Sequence, residues 1–235
     1  MHITLIGAGP RGLMLLGRLI SWQRARYPQR QLTIFLVDPY PIGGRVWKID
    51  QDPNLIMNTA AAQITLFTDQ TVTGVGPFIA GPDLSTWALT LAADYLDAHP
   101  EINNRSILMR QAANLGPNSY ASRALYGVYQ QWFFDLQKHQ AGTNIITYKQ
   151  QTVNRLDKKA AGFTITTDQE NWQTDQVVMA LGNLKNSLTR DQKALHDYAQ
   201  THQLFYLEPG FPEEGDLSGI EAQSPVIIRG LGLSF

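Results

Sequence analysis

Residues 2–12 read HITLIGAGPRG, a short apolar run that passes directly into a glycine-rich stretch. The run is partly β-branched and predicts a buried strand of a parallel sheet. Gly7, Gly9 and Gly12 match the pattern G-x-G-x-x-G, in which the glycines allow a tight turn, close approach of a pyrophosphate and close helix–strand packing. A helix that begins here would offer unpaired amides and the positive end of its dipole to phosphates. The stretch therefore predicts a dinucleotide-binding turn, and the alternative is a glycine-rich turn without a ligand.

A helix and a second strand follow this turn. Apolar residues recur at helical spacing from Arg11 to Arg26, and Pro28 ends the pattern. Residues 32–38 read LTIFLVD and predict a second buried strand that ends in an acid. Strand, turn, helix and strand within so short a length form a βαβ unit, which requires a parallel sheet and a right-handed crossover.

Asp38 stands at the end of this second strand. Its carboxylate would accept hydrogen bonds from both hydroxyls of an adenosine ribose and would repel a 2′-phosphate. It follows Gly12 by 26 positions, which is more than the ~20 of the compact pattern. The long helix and residues 27–31 explain that difference. The alternative is that Asp38 only forms a turn before Pro39.

The composition narrows the class of protein. The chain has 235 residues, a formal net charge of −1 and 43% hydrophobic residues, so it can bury a core and offers no broad positive field to nucleic acid or an anionic membrane. The absence of cysteine excludes disulfides, thiolate nucleophiles and iron–sulfur clusters.

Without a signal peptide or a run of ~18 apolar residues, a cytoplasmic protein is predicted. His196 and His202 lack the i, i+4 spacing of a helical metal pair, so no metal site is predicted.

The middle of the chain, about 40–140, departs from the alternation of strands and helices and predicts a helical insertion. Ser85 is a candidate N-cap for a helix that runs to His99. A second amphipathic helix is predicted over residues 122–140, with Gly142 as its C-terminal breaker. We expect this stretch to be an insertion between strands and not a separate domain.

Strand patterns return after the insertion. The predicted strands cover residues 144–149, 152–157, 163–167, 175–180 and 225–229. The second and third of these form a β-meander in the connection between sheet strands. The predicted fold class is α/β: one Rossmann-like three-layer domain over residues 1–235, with a parallel sheet, a β-meander and the helical insertion.

Two further segments carry glycines where a long cofactor would pass. Gly43, Gly44 and Arg45 follow Asp38 closely; such glycines let a backbone run beside phosphates, and an Arg can form charge-assisted bonds to them. The predicted strand over 175–180 runs directly into Leu181 and Gly182.

Taken in order, these segments resemble a known family. The N-terminal glycine pattern, the acid followed by Gly43-Gly44-Arg45, and the late strand ending Ala180-Leu181-Gly182 resemble the FAD-binding domain of flavoproteins with two dinucleotide-binding domains. That group includes glutathione-reductase-like enzymes and flavin-dependent N-hydroxylases, and its usual Ala-Thr-Gly differs here at Leu181. Residues 55–59 (LIMNT) and 122–127 (SRALYG) are more closely similar to the bacterial FAD/NAD(P)-binding proteins of that superfamily.

The resemblance implies FAD as the cofactor and carries over a set of binding residues. Those at the pyrophosphate would be Gly7, Gly9, Pro10, Arg11 and Gly12. Those at the ribose and along the phosphates and ribityl chain would be Asp38, Pro39, Gly43, Gly44 and Arg45. Asn58 and Thr59 would lie nearer the isoalloxazine ring, the backbone of Val153 would meet adenine, and Ala180 and Gly182 would pass close to the cofactor.

The last residues, 226–235 (VIIRGLGLSF), repeat the opening pattern of an apolar strand followed by Gly-x-Gly. In the family this pattern starts a second domain, which binds NAD(P)H. We therefore expect residues 225–235 to begin a truncated second dinucleotide-binding domain, and this chain alone to be inactive or nearly so with NAD(P)H. A glycine-rich tail is the alternative.

The resemblance implies an FAD-dependent oxidoreductase in which NAD(P)H reduces the flavin, with a small-molecule substrate. Because the chain has no cysteine, a dithiol relay is excluded, which leaves monooxygenase-like chemistry or simple oxidase or reductase activity. Two alternatives stay open: an NAD-binding Rossmann oxidoreductase without flavin, and a non-catalytic dinucleotide-binding module. The sequence alone does not identify a catalytic residue or a residue that selects the substrate.

Overall fold

The computed structural model describes residues 1–68, 71, 76–184 and 186–229, and the chain divides into two compact units, residues 1–182 and 183–235. The strands described in the first unit are β1 His2–Ile6, β2 Thr33–Asp38, β3 Ile145–Gln150, β4 Val153–Lys158, β5 Phe163–Thr167, β6 Asn171–Thr174 and β7 Gln176–Met179. Its described helices are α1 Pro10–Arg26, α2 Leu84–Thr90, α3 Ala92–Ala98, α4 Arg105–Ala113 and α5 Arg123–His139, with a 3-10 turn at Ala61–Gln63.

The strands form two sheets. A parallel sheet has the order β3-β2-β1-β7, and an antiparallel meander has the order β4-β5-β6. Helix α1 connects β1 to β2, the helical insertion connects β2 to β3, and the meander lies between β3 and β7 in the chain. The predicted α/β fold class, with its parallel sheet, meander and insertion, is confirmed. The meander gains one strand, β6, that the sequence pattern did not predict.

The central strands are covered on both faces, which explains their continuous apolar runs. The meander packs on one face of the parallel sheet. There the indole Nε1 of Trp172 donates to Thr4 Oγ1 at 3.1 Å, and the indole ring lies 5.6 Å from the ring of Phe35. Ile3 and Leu5, which alternate with Thr4 and so point the other way, belong to the core shared with the helices. The result is the predicted three-layer arrangement.

Helix α1 packs closely on α5 at a glycine. A Cβ built on Gly17 would lie 3.0 Å from Cζ of Phe133 and 3.3 Å from Cδ1 of Ile79. The missing side chain therefore lets the two helices approach, and this contact joins the insertion to the βαβ unit.

The insertion contains more helices than the sequence pattern predicted. The expected helix from Ser85 to His99 is wrong as a single helix: it is capped two residues earlier, by Asp83, and is interrupted at Leu91, where φ is −129°. Helix α4 was not predicted; it starts after Asn104, whose φ of 58° is left-handed and whose side chain forms no cap. The helix expected over 122–140 is confirmed as α5, with the Ser122 hydroxyl accepting from the amide of Leu125 at 3.1 Å.

The predicted strand over residues 225–229 is wrong. These residues pair with no strand in the described part of the chain, and Ile227 is 98% exposed. An apolar run becomes a strand only where a neighbouring strand accepts its hydrogen bonds, and the pattern alone could not supply one. The Gly-x-Gly at 230–232 lies outside the described residues.

The second unit has one long helix among its described residues, α6 Arg190–Thr201. It begins with a capping box, in which the Thr189 hydroxyl accepts from the Gln192 amide and the Gln192 side chain accepts from the Thr189 amide. In the described residues of either unit, no helix has the length and apolar character needed to cross a membrane.

Candidate functional site

The turn between β1 and α1 is built from backbone contacts that exclude side chains. A Cβ on Gly12 would lie 1.9 Å from the carbonyl oxygen of Gly7, and one on Gly7 would lie 2.2 Å from that of Ala180. Gly7 also has φ +117°, a conformation that other residues rarely adopt. The first and third glycines of the pattern therefore hold strand, helix and β7 together.

Gly9, the second glycine, faces a different environment. A Cβ there would come no closer to its neighbours than 3.6 Å, to the carbonyl oxygen of Gly43. It precedes Pro10 at the start of α1, where the first-turn amides, including that of Arg11, have no acceptor within the helix. Space and unpaired donors thus coincide at the position where a pyrophosphate would lie.

Asp38 closes this turn from the end of β2. Its Oδ2 accepts from the amide of Ala8 at 2.8 Å, and its Oδ1 accepts from the amide of Tyr40 at 2.9 Å. The residue is 9% exposed, and burial raises the pKa of its carboxyl group, while the two amide bonds act in the opposite direction. Each oxygen retains acceptor capacity for a further donor such as a ribose hydroxyl.

The Gly43-Gly44-Arg45 segment meets the first turn directly. The amide of Gly43 donates to the carbonyl oxygen of Ala8 at 3.0 Å, and a Cβ on Gly44 would lie 3.5 Å from both Asp38 Oδ2 and the Cα of Gly9. Gly9 therefore lies in close contact with Asp38 and Gly44, which come about 30 positions later in the chain. We call these three residues the cradle.

Trp47 connects the cradle to helix α5, and the sequence did not single it out. Its carbonyl oxygen would lie 2.6 Å from a Cβ on Gly43 and 2.4 Å from a Cβ on Gly127 of α5. Its ring packs edge-on against Tyr126, with ring centroids 4.9 Å apart. The glycine in SRALYG (122–127) could have indicated a close approach to α5, but nothing in the sequence named Trp47 as its partner.

Asn58 and Thr59 lie beside the start of α5. The segment before them forms a bridge to the residues that precede and begin the helix: Met57 donates through its amide to Ala121 at 2.8 Å, and Arg123 donates to Leu55 at 2.8 Å. Asn58 is exposed and Thr59 is half-buried. Through α5 and Trp47, the two segments singled out by the family resemblance are thus joined to the cradle.

The remaining predicted residues lie at the carboxyl end of the sheet. The amide of Ala180 donates to Ile6 at 2.7 Å, immediately before Gly7, and a Cβ on Gly182 would meet nothing within 4 Å. The Gln151 amide donates to the carbonyl oxygen of Asp38 at 3.1 Å, which brings Val153, the first residue of β4, to this end of β2.

Tyr148 of β3 contacts the turn that follows Asp38 and was also missed. Its hydroxyl donates to the carbonyl oxygen of Tyr40, two residues after Asp38. Burial raises the pKa of Tyr148, and the negative charge of Asp38 adds to the effect. A tyrosine in a predicted strand gives no sign of this role, because the contact spans 108 positions of the chain.

The geometry has a counterpart in known proteins. Residues 4–184 match a protein family described as FAD-NAD(P)-binding. The chain belongs to this family. Membership confirms the resemblance to FAD-binding flavoproteins and the predicted cofactors, which are FAD and, in the full-length protein, NAD(P)H. The small residues Gly9 and Gly44 beside the start of α1 and the acceptor at Asp38 are what a diphosphate next to an adenosine ribose requires, so the residues present fit FAD.

Two curated relatives resemble the chain over its whole length. The L-aspartate N-monooxygenase (nitrosuccinate-forming) of Streptomyces davaonensis is 34% identical over 245 residues, covering 99% of this chain and 37% of that protein. Nitrosuccinic acid synthase npaA of Aspergillus oryzae is 34% identical over 241 residues, covering 100% of this chain and 34% of that protein. The chain spans about a third of the length of these relatives.

Among solved structures, lysine monooxygenase NbtG from Nocardia farcinica is similar at a TM-score of 0.47. The two chains are 11% identical, and the match covers 87% of this chain and 52% of that one.

Proposed function

We propose that this chain forms the FAD-binding part of a flavin-dependent monooxygenase that uses NAD(P)H and oxidises the amino group of a small amino acid. The observation that carries the proposal is the cradle, where the turn at Gly9 meets Asp38 and Gly44 at the start of α1. The 34% identity to the L-aspartate N-monooxygenase, over 99% of this chain, supports the reaction class.

The geometry of the turns supports a set of binding residues for FAD. The pyrophosphate of FAD would lie against Gly9, Pro10 and the first-turn amides of α1 at Arg11 and Gly12, while Gly7 holds the turn. Asp38, with Pro39 fixing the next turn, would accept from the ribose hydroxyls. Arg45 would follow the phosphates with Gly43 and Gly44, and Val153 would lie at the adenine.

The flavin end of the cofactor would extend towards the insertion. Asn58 and Thr59 beside α5 would line it on one side, and Ala180 and Gly182 would approach it from the end of β7. When bound, the flavin would contribute the chemistry that activates dioxygen. The chain's own part is to hold the cofactor in a fixed orientation and to accept hydrogen bonds from the ribose hydroxyls at the carboxylate of Asp38.

A titration with FAD tests the proposal. We expect the chain to take up FAD, seen in the visible absorbance of the flavin, and the variant Gly9→Ala to lose that uptake because its methyl group fills the diphosphate space. Gly210→Ala is the matched control, since a Cβ there would lie 3.9 Å from its nearest neighbour. ADP should compete with FAD, and adenosine 2′,5′-diphosphate should not, because Asp38 repels a 2′-phosphate.

Two results would contradict this assignment. Tight NAD binding without flavin uptake would favour an NAD-dependent Rossmann oxidoreductase. Equal FAD affinity in Gly9→Ala and in the wild-type chain would show that the diphosphate does not lie at the cradle. The substrate class is tested on the complete enzyme that contains this FAD-binding part, by oxidation of L-aspartate in the presence of FAD, NADPH and dioxygen, with the product identified by mass spectrometry.

A further inference from the structure

A cleft of about 420 Å³ opens between α1 and α5. It is lined by three segments of the first unit: positions 17–25 of α1, positions 77–80 of the insertion, and the end of α5 at Gln137 and Gln140. Its volume lies within the range of ~300–1,000 Å³ that is usual for small-molecule sites. Gly17 comes eight residues after Gly9, or about 12 Å along the helix, so the space is separate from the cradle. We call it the α1–α5 cleft.

The walls of the α1–α5 cleft are fixed by specific contacts. Arg18 of α1 donates through Nη1 to the carbonyl oxygen of Pro77 at 2.7 Å, and the amide of Ile79 donates to Thr68 Oγ1 at 2.9 Å. A Cβ on Gly17 would lie 3.3 Å from Cδ1 of Ile79 and 3.4 Å from Oε1 of Gln137. The missing side chain of Gly17 therefore leaves the amide group of Gln137 beside the space between the helices.

Gln137 is a buried hydrogen-bonding side chain in the wall of this cleft. It is 2% exposed, and its Nε2 has no acceptor in the part of the chain that the structure describes. A buried N–H donor without an acceptor costs free energy, and natural proteins leave few of them. An oxygen atom of a ligand seated in the cleft would supply the missing acceptor.

The charge around the cleft favours a negatively charged ligand. Residues 1–37 contain five arginines and no acid, and no described residue that lines the cleft is acidic. Arg24 lines it, and its Nη1 donates to the carbonyl oxygen of Gln140 at a long 3.4 Å. Among the described residues, Arg24 forms no ion pair. Its other guanidinium donors are therefore available to an anion.

The rest of the lining is apolar. Ile20 and Ile79 are buried in the walls, and the ring of Phe78 is 52% exposed beside the opening. Burial of such surface by a ligand is favourable, whereas a purely polar ion would leave it in contact with water. The ligand that complements this lining therefore has an apolar body and one acidic group.

We propose that the α1–α5 cleft binds a small carboxylic acid with an apolar body. The carboxylate would accept a hydrogen bond from Nε2 of Gln137 and would be neutralised by Arg24, while the apolar body would pack against Ile20 and Phe78. The site does not need the flavin, so it does not depend on the proposed function.

Isothermal titration calorimetry with phenylacetate tests the proposal, and its uncharged analogue 2-phenylacetamide is the matched probe. We expect phenylacetate to bind at one site per chain and the amide to bind at least about tenfold more weakly, because it lacks the charge. Binding should be unaffected by ADP, for which the proposed site is the cradle.

Variants of Gln137 test the buried donor. Gln137→Leu should weaken phenylacetate binding at least about tenfold, yet its urea midpoint should equal or exceed that of the wild-type chain, because the unpartnered amide is gone. Gln130→Leu is the matched control. Gln130 is also buried in α5 with both amide atoms unpartnered among the described residues, but it does not line the cleft. This control should bind phenylacetate as the wild-type chain does.

Variants of Arg24 test the charge without disturbing the core, because this side chain is exposed. Arg24→Gln should weaken phenylacetate binding at least about tenfold. Arg26→Gln removes the same charge from the same helix outside the cleft and should have no effect beyond about twofold.

Four results would overturn the proposed site. They are no binding of phenylacetate, equal binding of the acid and the amide, equal losses in Gln137→Leu and Gln130→Leu or in Arg24→Gln and Arg26→Gln, and displacement of phenylacetate by ADP. The last of these would place the carboxylate at the cradle. FAD uptake is measured separately and tests the proposed function alone.

Discussion

The βαβ unit of residues 2–38 and the helical insertion of residues 40–140 are stabilised by different kinds of contact. In the βαβ unit the decisive distances join backbone atoms, such as the 1.9 Å that would separate a Cβ on Gly12 from the oxygen of Gly7. In the insertion they join large side chains, such as the rings of Trp87 and Tyr129 at 5.3 Å. The first region depends on side chains being absent, and the second depends on their volume.

The largest effect is expected from removing volume in the insertion. Trp87→Ala should lower the free energy of unfolding by about 3–5 kcal/mol, because it leaves a cavity in a core that excludes water. Leu89→Ala in the same helix, at a side chain 57% exposed, should change it by less than about 0.5 kcal/mol. Urea denaturation followed by circular dichroism measures both. Similar values for the two variants would show that the insertion is not held by its aromatic core.

The next effect comes from adding a single methyl group to the βαβ unit. Gly12→Ala should cost about 3 kcal/mol, the upper end for overpacking, because its Cβ meets a backbone oxygen that cannot move aside. Gly9→Ala, at the N-cap of α1, should cost about 1 kcal/mol or less and should instead lose FAD. Denaturation and FAD titration of both variants separate the two roles, and a reversed order would mean that the glycines have been assigned the wrong way round.

A smaller effect, on binding, is expected at Asp38. Asp38→Asn should weaken FAD binding at neutral pH by about 1.5–3 kcal/mol, the value of hydrogen bonds to a charged group. Burial raises the pKa of Asp38 above the ordinary value, so the neutral carboxyl stabilises the free folded chain at low pH, and this contribution is lost as the pH rises through the raised pKa.

Ribose hydroxyls donate hydrogen bonds to the ionised carboxylate. The pH dependence of FAD binding is therefore opposite in sign to that of folding. FAD affinity should fall as the pH drops through the raised pKa of Asp38, beginning above the ~3.9 of an ordinary aspartate, and it should be level above that range. Asp38→Asn should show no such dependence. A titration of FAD at a series of pH values measures the effect, and a parallel fall in both proteins would assign it to another group.

The smallest effect concerns the start of α2. The Asp83 carboxylate accepts from the amide of Thr86 at 2.9 Å and from the hydroxyl of Ser85 at 2.6 Å, so Asp83→Ala should cost about 1 kcal/mol in the free energy of unfolding. Asp50→Ala, at an exposed loop position, is the control. No difference between the two would show that α2 is fixed by its packing and not by its cap.

The sequence predicted the βαβ unit within about a residue because its determinants are local. The glycine pattern, the helical spacing and the terminal acid all lie within the segment they describe, and β1, α1 and β2 follow from them. The convergence of Gly9 and Gly44 could also be expected, since both follow parallel strands at the same sheet edge.

The insertion was harder to predict because its boundaries depend on tertiary contacts. Asp83 and Ser85 are both good caps two positions apart, and only the structure shows which one accepts the Thr86 amide. Helix α4 starts at a left-handed Asn104 without a side-chain cap, so no start signal was present. Trp47 could be assigned to the site only from the structure, because its contact with Gly127 spans 80 positions of the chain.

The contact between Gly7 and Ala180 has a consequence for the synthesis of the protein. β1 is made first, yet one of its two neighbours in the sheet is β7, and the carbonyl oxygen of Ala180 forms the floor of the glycine turn. At the usual rate of translation, roughly 10–35 s separate the two strands. Throughout that interval the nascent βαβ unit exposes an unpaired apolar edge. The nucleotide turn therefore reaches its final shape late, and we expect FAD to bind only after most of residues 1–182 has left the ribosome.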